Sequence, residues 1–384
     1  MKTVYVDNNA TTAVDPAVVE AMLPFLKDLW GNPSSMHTFG GQVASHVELA
    51  RERVASLLGA GTKEEIIFTS CGTESDNAAI RSALAANPAR RKIVTTAVEH
   101  PAVLNLAKEL SNHGVEVQLT GVDGKGRLDM DAFRKALDQN TAVASVMWAN
   151  NETGVIFPIE EIASICEKAN VPLHVDAVQA AGKIPIDLQS IPITYLAISG
   201  HKLGAPKGVG ALYVRRGAGF TPLIMGGHQE AGRRGGTENV ASIVGLGLAC
   251  ELAAGRIESE RTDVAALRDR LESRILDTIP RSFVNGDPDN RLPNTTNISF
   301  ESVEGEAILL MLNEFGICAS SGSACTSGSL DPSHVMMAMG VPFTRAHGSI
   351  RFSLSRSNTA EEIDYILDKL PPIINRLREL SPVR

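Results

Sequence analysis

Lys202 closes the run Tyr195-Leu-Ala-Ile-Ser-Gly-His-Lys202, an apolar stretch of strand character that ends in small and polar residues. A second apolar run, Pro172-Leu-His-Val-Asp-Ala-Val-Gln179, ends the same way and leaves Asp176 where a buried strand should stop. An amine that forms an imine and an acid that pairs with a protonated pyridine nitrogen are the two protein groups pyridoxal 5'-phosphate (PLP) needs most. One lysine and one aspartate do not make a site. The rest of the chain must supply a phosphate cradle and a substrate anchor.

Phe68-Thr-Ser-Cys-Gly-Thr-Glu-Ser-Asp-Asn77 runs from a strand end through small residues into a helix. Free backbone N–H groups and the helix dipole suit a phosphate there. The plain alternative is a capped turn, with Thr73 as N-cap and Asp76 three residues on. No Walker-type Lys-Ser/Thr and no Gly-x-Gly-x-x-Gly after a strand is present, so nucleotide sites compete poorly. Burial of a carboxylate at Asp176 requires a partner, either a pyridinium, a salt bridge or a helix cap. Gln179 lies three residues on, within reach of a ring oxygen. His100, in Val98-Glu-His-Pro101, is placed to stack on a ring or to serve as a structural histidine. Lys202 stands where ligands bind in open α/β sheets, and burial there would favour the neutral amine; most lysines are instead solvated surface charges.

The glycine-dense segment 226–239 carries paired arginines and reads either as a mobile surface loop or as a backbone nest for an anion. Arg351 alternates with Ile350 and Phe352, which turns it from the apolar side of its strand. It is either an exposed strand arginine or a fork for a substrate carboxylate. Cys325 lies in Ser320-Ser-Gly-Ser-Ala-Cys-Thr-Ser-Gly-Ser329, among small polar residues rather than the apolar neighbours of a structural cysteine such as Cys166. An exposed thiolate on such a segment is a nucleophile.

These side chains need a scaffold. Short apolar runs at 66–69, 92–96, 115–119, 142–147, 173–176, 195–198 and 211–214 alternate with helical patterns such as 102–112 and 159–168. Several runs are apolar throughout, as strands covered on both faces are. The alternation predicts an α/β domain with a mostly parallel seven-stranded sheet flanked by helices. Val47, Ala50, Val54, Leu57 and Leu58 recur at helical spacing, with Gly59 as the stop. After about Ala254 the pattern changes. Segments 257–279, 306–315 and 360–370 read as helices and 297–300 and 349–354 as strands, which predicts a smaller α+β domain. Pro371 and Pro372 should interrupt or kink the last helix before it resumes towards Leu380.

The 384 residues are 43% hydrophobic and 21% charged, ordinary for a soluble enzyme. A formal net charge of -8 argues against non-specific nucleic-acid binding. No apolar stretch reaches membrane-spanning length and no signal core opens the chain, so a cytoplasmic protein is expected. The five cysteines, at 71, 166, 250, 318 and 325, form no metal-ligand spacing, and the odd count suits a reducing compartment. No structural metal site is expected.

Taken together, Asp7-Asn-Asn-Ala-Thr-Thr12, Gly31-Asn-Pro-Ser-Ser35, Thr69-Ser-Cys-Gly-Thr-Glu-Ser75, Glu99-His-Pro101, Asn150-Asn-Glu-Thr-Gly154, His174-Val-Asp-Ala-Val-Gln179, Ser199-Gly-His-Lys202, Gly236-Thr-Glu-Asn239, Ser320-Ser-Gly-Ser-Ala-Cys-Thr326 and Ile350-Arg-Phe-Ser353 resemble, in order and spacing, the NifS-type cysteine desulfurases. These are class-V aminotransferases of the aspartate-aminotransferase-like fold (fold type I); the cysteine segment resembles the group with a long mobile loop. The resemblance implies a large PLP-binding domain at 13–255 and a small domain at 1–12 and 256–384 carrying Cys325. It implies that Lys202 holds PLP as an internal aldimine and shuttles protons, Asp176 pairs with the ring nitrogen, Gln179 contacts the ring oxygen and His100 stacks on the ring. Gly72, Thr73, Ser199 and His201 would bind the phosphate, joined by Thr237 from the partner subunit of a homodimer. Asn151 and Arg351 would hold the substrate carboxylate. Cys325 would take sulfur from L-cysteine as a persulfide, leaving L-alanine, and pass it to an iron–sulfur scaffold protein, serving also as a transient iron–sulfur ligand shared with that scaffold. The nitrogenase-associated members resemble the chain best. One departure is the ending Ser381-Pro-Val-Arg384, where housekeeping members carry a longer tail that engages the scaffold. The rival readings are selenocysteine lyase, an aminotransferase-like activity and a non-catalytic scaffold.

Overall fold

Runs such as Thr141–Met147 and Tyr195–Ser199 are buried at every position, because helices cover both faces of the sheet they build. The computed structural model describes residues 3–321 and 332–381. In chain order the strands are β1 (Val4–Tyr5), β2 (Ile66–Thr69), β3 (Lys92–Thr96), β4 (Glu116–Thr120), β5 (Thr141–Met147), β6 (Leu173–Asp176), β7 (Tyr195–Ser199), β8 (Gly210–Val214), β9 (Ser282–Val284), β10 (Thr295–Phe300), β11 (Ile317–Cys318) and β12 (Ser349–Ser353). Helices are α1 (Pro16–Lys27), α2 (Thr38–Leu57), α3 (Gly72–Ala86), α4 (Pro101–Asn112), α5 (Met130–Ala136), α6 (Ile159–Lys168), α7 (Val240–Ala254), α8 (Ile257–Ser259), α9 (Ala265–Thr278), α10 (Gly305–Asn313), α11 (His334–Ala338), α12 (Phe343–Ala346) and α13 (Ala360–Leu380).

The expected seven-stranded sheet is present, in the order β2-β8-β7-β6-β5-β3-β4. Pairings from β4 to β7 are parallel, and β8 runs against both of its neighbours. The sheet is therefore mostly parallel, as the βα alternation requires. The edge strand β4 is largely exposed, with Thr120 alone of its residues buried. Helix α7 is apolar nearly all round and is buried against α2. The crossing is close: a Cβ on Gly247 would meet the Cα of Ala50 at 2.5 Å, so only glycine fits there.

A second apolar core is separate from the first. Val4, Val6, Leu271, Ile275, Ile298, Phe300, Ile350, Phe352, Ile363 and Ile374 belong to it, around the antiparallel sheet β12-β10-β9 and the β1-β11 pair. Residues 335–346 lie in the chain between β11 and β12 of this unit, yet Val335, Met336, Met339 and Ala346 pack into the first core.

The expected interruption of the last helix at its prolines is absent. Helix α13 runs through Pro371 and Pro372 as one element. Ile363, Ile366, Leu370, Ile373 and Ile374 are buried along one face, and that packing outweighs the backbone hydrogen bonds the prolines forfeit. Segment 226–239 is tied down at three side chains. Glu230 is buried, paired through both oxygens with Arg51 at 2.7 and 2.8 Å, and accepts the Phe68 N–H at 2.9 Å. Arg234 is spent on Glu74 and Arg233 on the carbonyls of Glu64 and Ile66.

Candidate active site

The carboxyl ends of β2, β3, β5, β6 and β7 all feed one cavity of about 290 Å³, where open α/β sheets bind ligands. Gly72, Thr73, His100, Asn151, Asp176, Gln179, Ser199, His201, Lys202 and Arg351 all line it. A larger cavity of about 540 Å³ shares Lys202 with it but none of the other residues singled out from the sequence.

After β2 the chain turns through Ser70 and Cys71 into α3. Cys71, not Thr73, is the N-cap, and it makes no side-chain cap bond. The first-turn N–H groups are thus left for a ligand, at the positive end of a 15-residue helix. Gly72 is required by crowding: a Cβ there would meet Val178 Cγ2 at 2.7 Å. Glu74, an acid beside an anion site, is offset. Burial pushes its carboxyl up, but Arg234 and the Ser70 N–H outweigh this and hold it below the usual range.

Asp176 ends β6 and is 7% exposed. Its Oδ1 accepts the Val178 N–H at 2.9 Å. Burial pushes its carboxyl up, opposed by His100 and Lys202. His100 caps α4: its Nδ1 accepts the Ala102 N–H at 3.1 Å. A backbone N–H can only donate, so the proton of the neutral ring sits on Nε2. Burial lowers the His100 pKa, with Asp176 opposing and Lys202 adding to the drop.

Lys202 ends a 3₁₀ turn after β7. Its ammonium donates to the backbone carbonyls of Asn9 and of Ala10, the latter at 2.7 Å. His201 is pushed down to about 4, by burial first and then by Lys202 and Lys207. Gln179 donates one amide hydrogen to the Asn9 carbonyl at 3.0 Å, while its buried Oε1 has no partner among the described residues. In the pair Asn150-Asn151 the roles separate. Asn150 builds the turn, its Oδ1 accepting the N–H groups of Glu152 and Thr153 at 2.9 Å, and Asn151 faces the cavity.

Arg351 projects from β12 opposite to Ile350 and Phe352, which sit in the second core. Its Nη1 donates to the Asn151 carbonyl at 3.0 Å and its Nη2 to Asp7 Oδ1 at 2.7 Å. Thr237 does not line this cavity; it sits in a separate one of about 70 Å³ with Arg234, Gly236 and Glu238. Cys325 lies outside the described residues. Its flanks are fixed near the site. Ser320 exchanges backbone hydrogen bonds with Arg351 at 2.6 and 3.2 Å, Ser333 donates to Glu152 at 2.5 Å, and His334 Nε2 meets the Glu99 carbonyl at 2.9 Å.

Several neighbours were not singled out as site residues. Asn9 and Ala10 act through main-chain oxygens, and their only sequence signal was the motif Asp7-Asn-Asn-Ala-Thr-Thr12. Asp76 lines the cavity from α3, backed by His174 and Ser145. As a whole the cavity joins an anion cradle, an amine, a buried acid, a neutral imidazole and a guanidinium. That set suits chemistry on an amino acid held by a phosphorylated carbonyl cofactor.

The aminotransferase class-V family model matches residues 4–366. The cysteine desulfurase NifS of Azotobacter vinelandii is 60% identical over 382 residues, covering all of this chain and 95% of the relative. A cysteine desulfurase of Trichormus azollae is 60% identical over 384 residues, with 96% of it covered. Among solved structures, a NifS-like protein superimposes with a TM-score of 0.92 at 40% identity, covering 98% of this chain and all of that one. A structure of SspA in complex with cysteine gives 0.81 at 34% identity, over 92% and 99%.

Proposed function

The chain belongs to the class-V aminotransferase family and is a cysteine desulfurase, and we propose that it moves sulfur from L-cysteine onto Cys325 and on to an acceptor protein for iron–sulfur cluster assembly. Its cofactor is PLP. The residues fit that group. The uncapped start of α3 matches a phosphate, and the buried Asp176, with Lys202 in the same cavity, matches a ring nitrogen and a carbonyl carbon. This convergence carries the reading.

What the bound cofactor supplies is an electron sink that weakens the C–S bond of the attached amino acid. Lys202 holds the cofactor and moves the proton at the substrate Cα. Asp176 would pair with the ring nitrogen and favour its charged form, Gln179 would offer its second amide hydrogen to the ring oxygen, and His100 would stack on the ring. Gly72, Thr73, Ser199 and His201 bind the phosphate. Arg351 and Asn151 orient the substrate carboxylate. Cys325 Sγ forms an S–S bond as the substrate Cβ–S bond breaks. The electron pair stays on the substrate and, with a proton, completes the methyl group of L-alanine. Cys325 is five positions on from Ser320, a length of chain that spans at most about 18 Å, enough to reach a substrate held at Arg351.

The rest of the reading is finer. Two separate apolar cores support a large domain at 13–255 and a small one formed by 1–12 and 256–384. Exposed Leu26, Trp30, Met36 and Met225 support a homodimer, in which Thr237 would reach the partner's phosphate site. The NifS name of the Azotobacter relative supports a role in nitrogenase maturation; in that role Cys325 would be a transient cluster ligand shared with the scaffold, and the protein would work in the cytoplasm. The test is mass analysis of the Cys325 peptide after L-cysteine, with a gain of one sulfur atom expected. Cys325→Ala should keep the visible cofactor band and lose sulfide release; release at the wild-type rate would remove Cys325 from the mechanism.

A further inference from the structure

Segment 7–12 forms a wall of the cavity. Asn9 and Ala10 carbonyls hold Lys202, Asn9 holds Gln179, and the Thr11 hydroxyl meets His201 Nδ1 at 3.1 Å. Asp7 opens this segment. Its backbone is pinned: it bridges to Ser353, and its carbonyl accepts from the Tyr5 hydroxyl at 3.1 Å and the Ala10 N–H at 3.0 Å. Its side chain contacts Arg351 Nη2 at 2.7 Å.

A carboxylate grips arginine bidentately either end-on, across Nη1 and Nη2, or side-on, across Nε and Nη2. Both grips include Nη2, the nitrogen that carries Asp7. Nη1 is engaged by the Asn151 carbonyl, and Nε is buried without a partner among the described residues. Any carboxylate arriving at Arg351 therefore stands beside a second carboxylate or displaces it. Among the described residues, Glu152 is a second acid that feels Arg351. It is buried and receives the Ser333 hydroxyl, and burial pushes it up to about 7, so at neutral pH it carries only part of a charge. Tyr5, the remaining titratable neighbour, is pushed up to about 12 by burial first and Asp7 second, and is neutral.

We propose that Asp7 is a positioning residue that acts through Arg351 as an internal competitor for the substrate carboxylate. It keeps the buried guanidinium paired and aimed when no substrate is present, and it weakens the grip on any amino acid that binds. The desulfurase turns one amino acid into another with the same carboxylate, so a weakened grip speeds release of L-alanine. The inference rests on Arg351 as the carboxylate anchor.

The test uses the PLP-loaded enzyme. Asp7→Asn should lower the KM for L-cysteine and the calorimetric Kd for L-alanine together, each by about tenfold, with a smaller change in kcat. Asp7→Ser gives a second neutral side chain, and Asp7→Glu should restore wild-type values. Without cofactor, Asp7→Asn should unfold at a lower temperature, because Arg351 loses its counter-charge. If both neutral variants bind L-alanine no more tightly than wild type, Asp7 merely supports Arg351 and the proposal fails. Arg351→Gln separates the two ideas: an unchanged KM there removes Arg351 as the anchor, independently of Asp7.

Discussion

His174 Nε2 stands 3.3 Å from Asp76 Oδ1, with both side chains closed to water. The other ring nitrogen meets Ser145 Oγ at 2.8 Å. Burial pushes His174 down to about 3 and Asp76 well up, the latter aided by the nearby acids Asp176 and Glu99. Both shifts disfavour the charged forms, so the contact has little of the character of an ion pair. Neither Asp76 Oδ1 nor His174 Nε2 makes a hydrogen bond among the described residues. Asp76→Asn, which keeps the size and carries no charge, should therefore change stability by less than about 1 kcal/mol, whereas Asp76→Ala, which empties a buried space, should cost about 1–3 kcal/mol. Urea midpoints near neutral pH measure both. An ion pair would make the asparagine variant as damaging as the alanine.

Why Asp176 and Lys202 were legible while Asp76–His174 was not is a matter of range. An apolar strand that ends in an acid, as β6 does at Asp176, or leads into a lysine, as β7 does at Lys202, is a local pattern. The helix α6 was readable at both ends, because its apolar spacing is regular and Lys168 closes it. The Asp76–His174–Ser145 contact joins α3, β6 and β5, which no local pattern connects. The Asn9 and Ala10 carbonyls are further still, since main-chain oxygens leave no side-chain signature. The anchoring of segment 226–239 is non-local in the same way: its glycines suggest freedom, but Glu230 is held by Arg51, which lies in α2. At Pro371 and Pro372, local propensity gave the wrong weight to a helix whose face is held by tertiary packing.

Lys202 makes two separable contributions, a charge for the Asn9 and Ala10 carbonyls and an amine for chemistry. Lys202→Arg keeps the first and loses the second; Lys202→Ala loses both. Both should lower sulfide release from L-cysteine by on the order of 10²–10⁴-fold, the usual scale for a lost proton-transfer group. Thermal unfolding without cofactor should distinguish them, with the arginine variant closer to wild type. An arginine variant that retained turnover would show that the amine is dispensable.

Gly72 and Val178 share one space at the phosphate end. A methyl on Gly72 at 2.7 Å from Val178 Cγ2 must move one of them, and both line the cavity. Gly72→Ala should cost about 1–3 kcal/mol through overpacking and weaken PLP binding. Adding Val178→Ala opens the space and should recover most of both losses. Calorimetric PLP titration and urea unfolding of the single and double variants check this. Strictly additive losses would mean that the two positions do not compete for that space.

Glu99 should give the folded protein an acid-side stability term. Its carboxyl is fully buried. Oε1 accepts from the Thr96 hydroxyl at 2.7 Å and the Met147 N–H at 3.0 Å, and Oε2 has no partner among the described residues. Burial pushes it from 4.5 up to about 8; the two hydrogen bonds oppose the rise and Asp176 adds to it. Between these values the folded protein holds a proton that the unfolded chain releases. Stability from this group is therefore complete below the unfolded value and is lost as pH climbs through about 8. The slope it adds is at most about 1.4 kcal/mol per pH unit. Glu99→Gln stays neutral at every pH, so its urea midpoint should fall less steeply than that of wild type from about pH 5 to about pH 8. Parallel curves would mean that Glu99 is already charged in the folded protein. Its Oε2 would then be a bare anion sealed near Asp176 with no donor to meet it, the arrangement that burial penalises most.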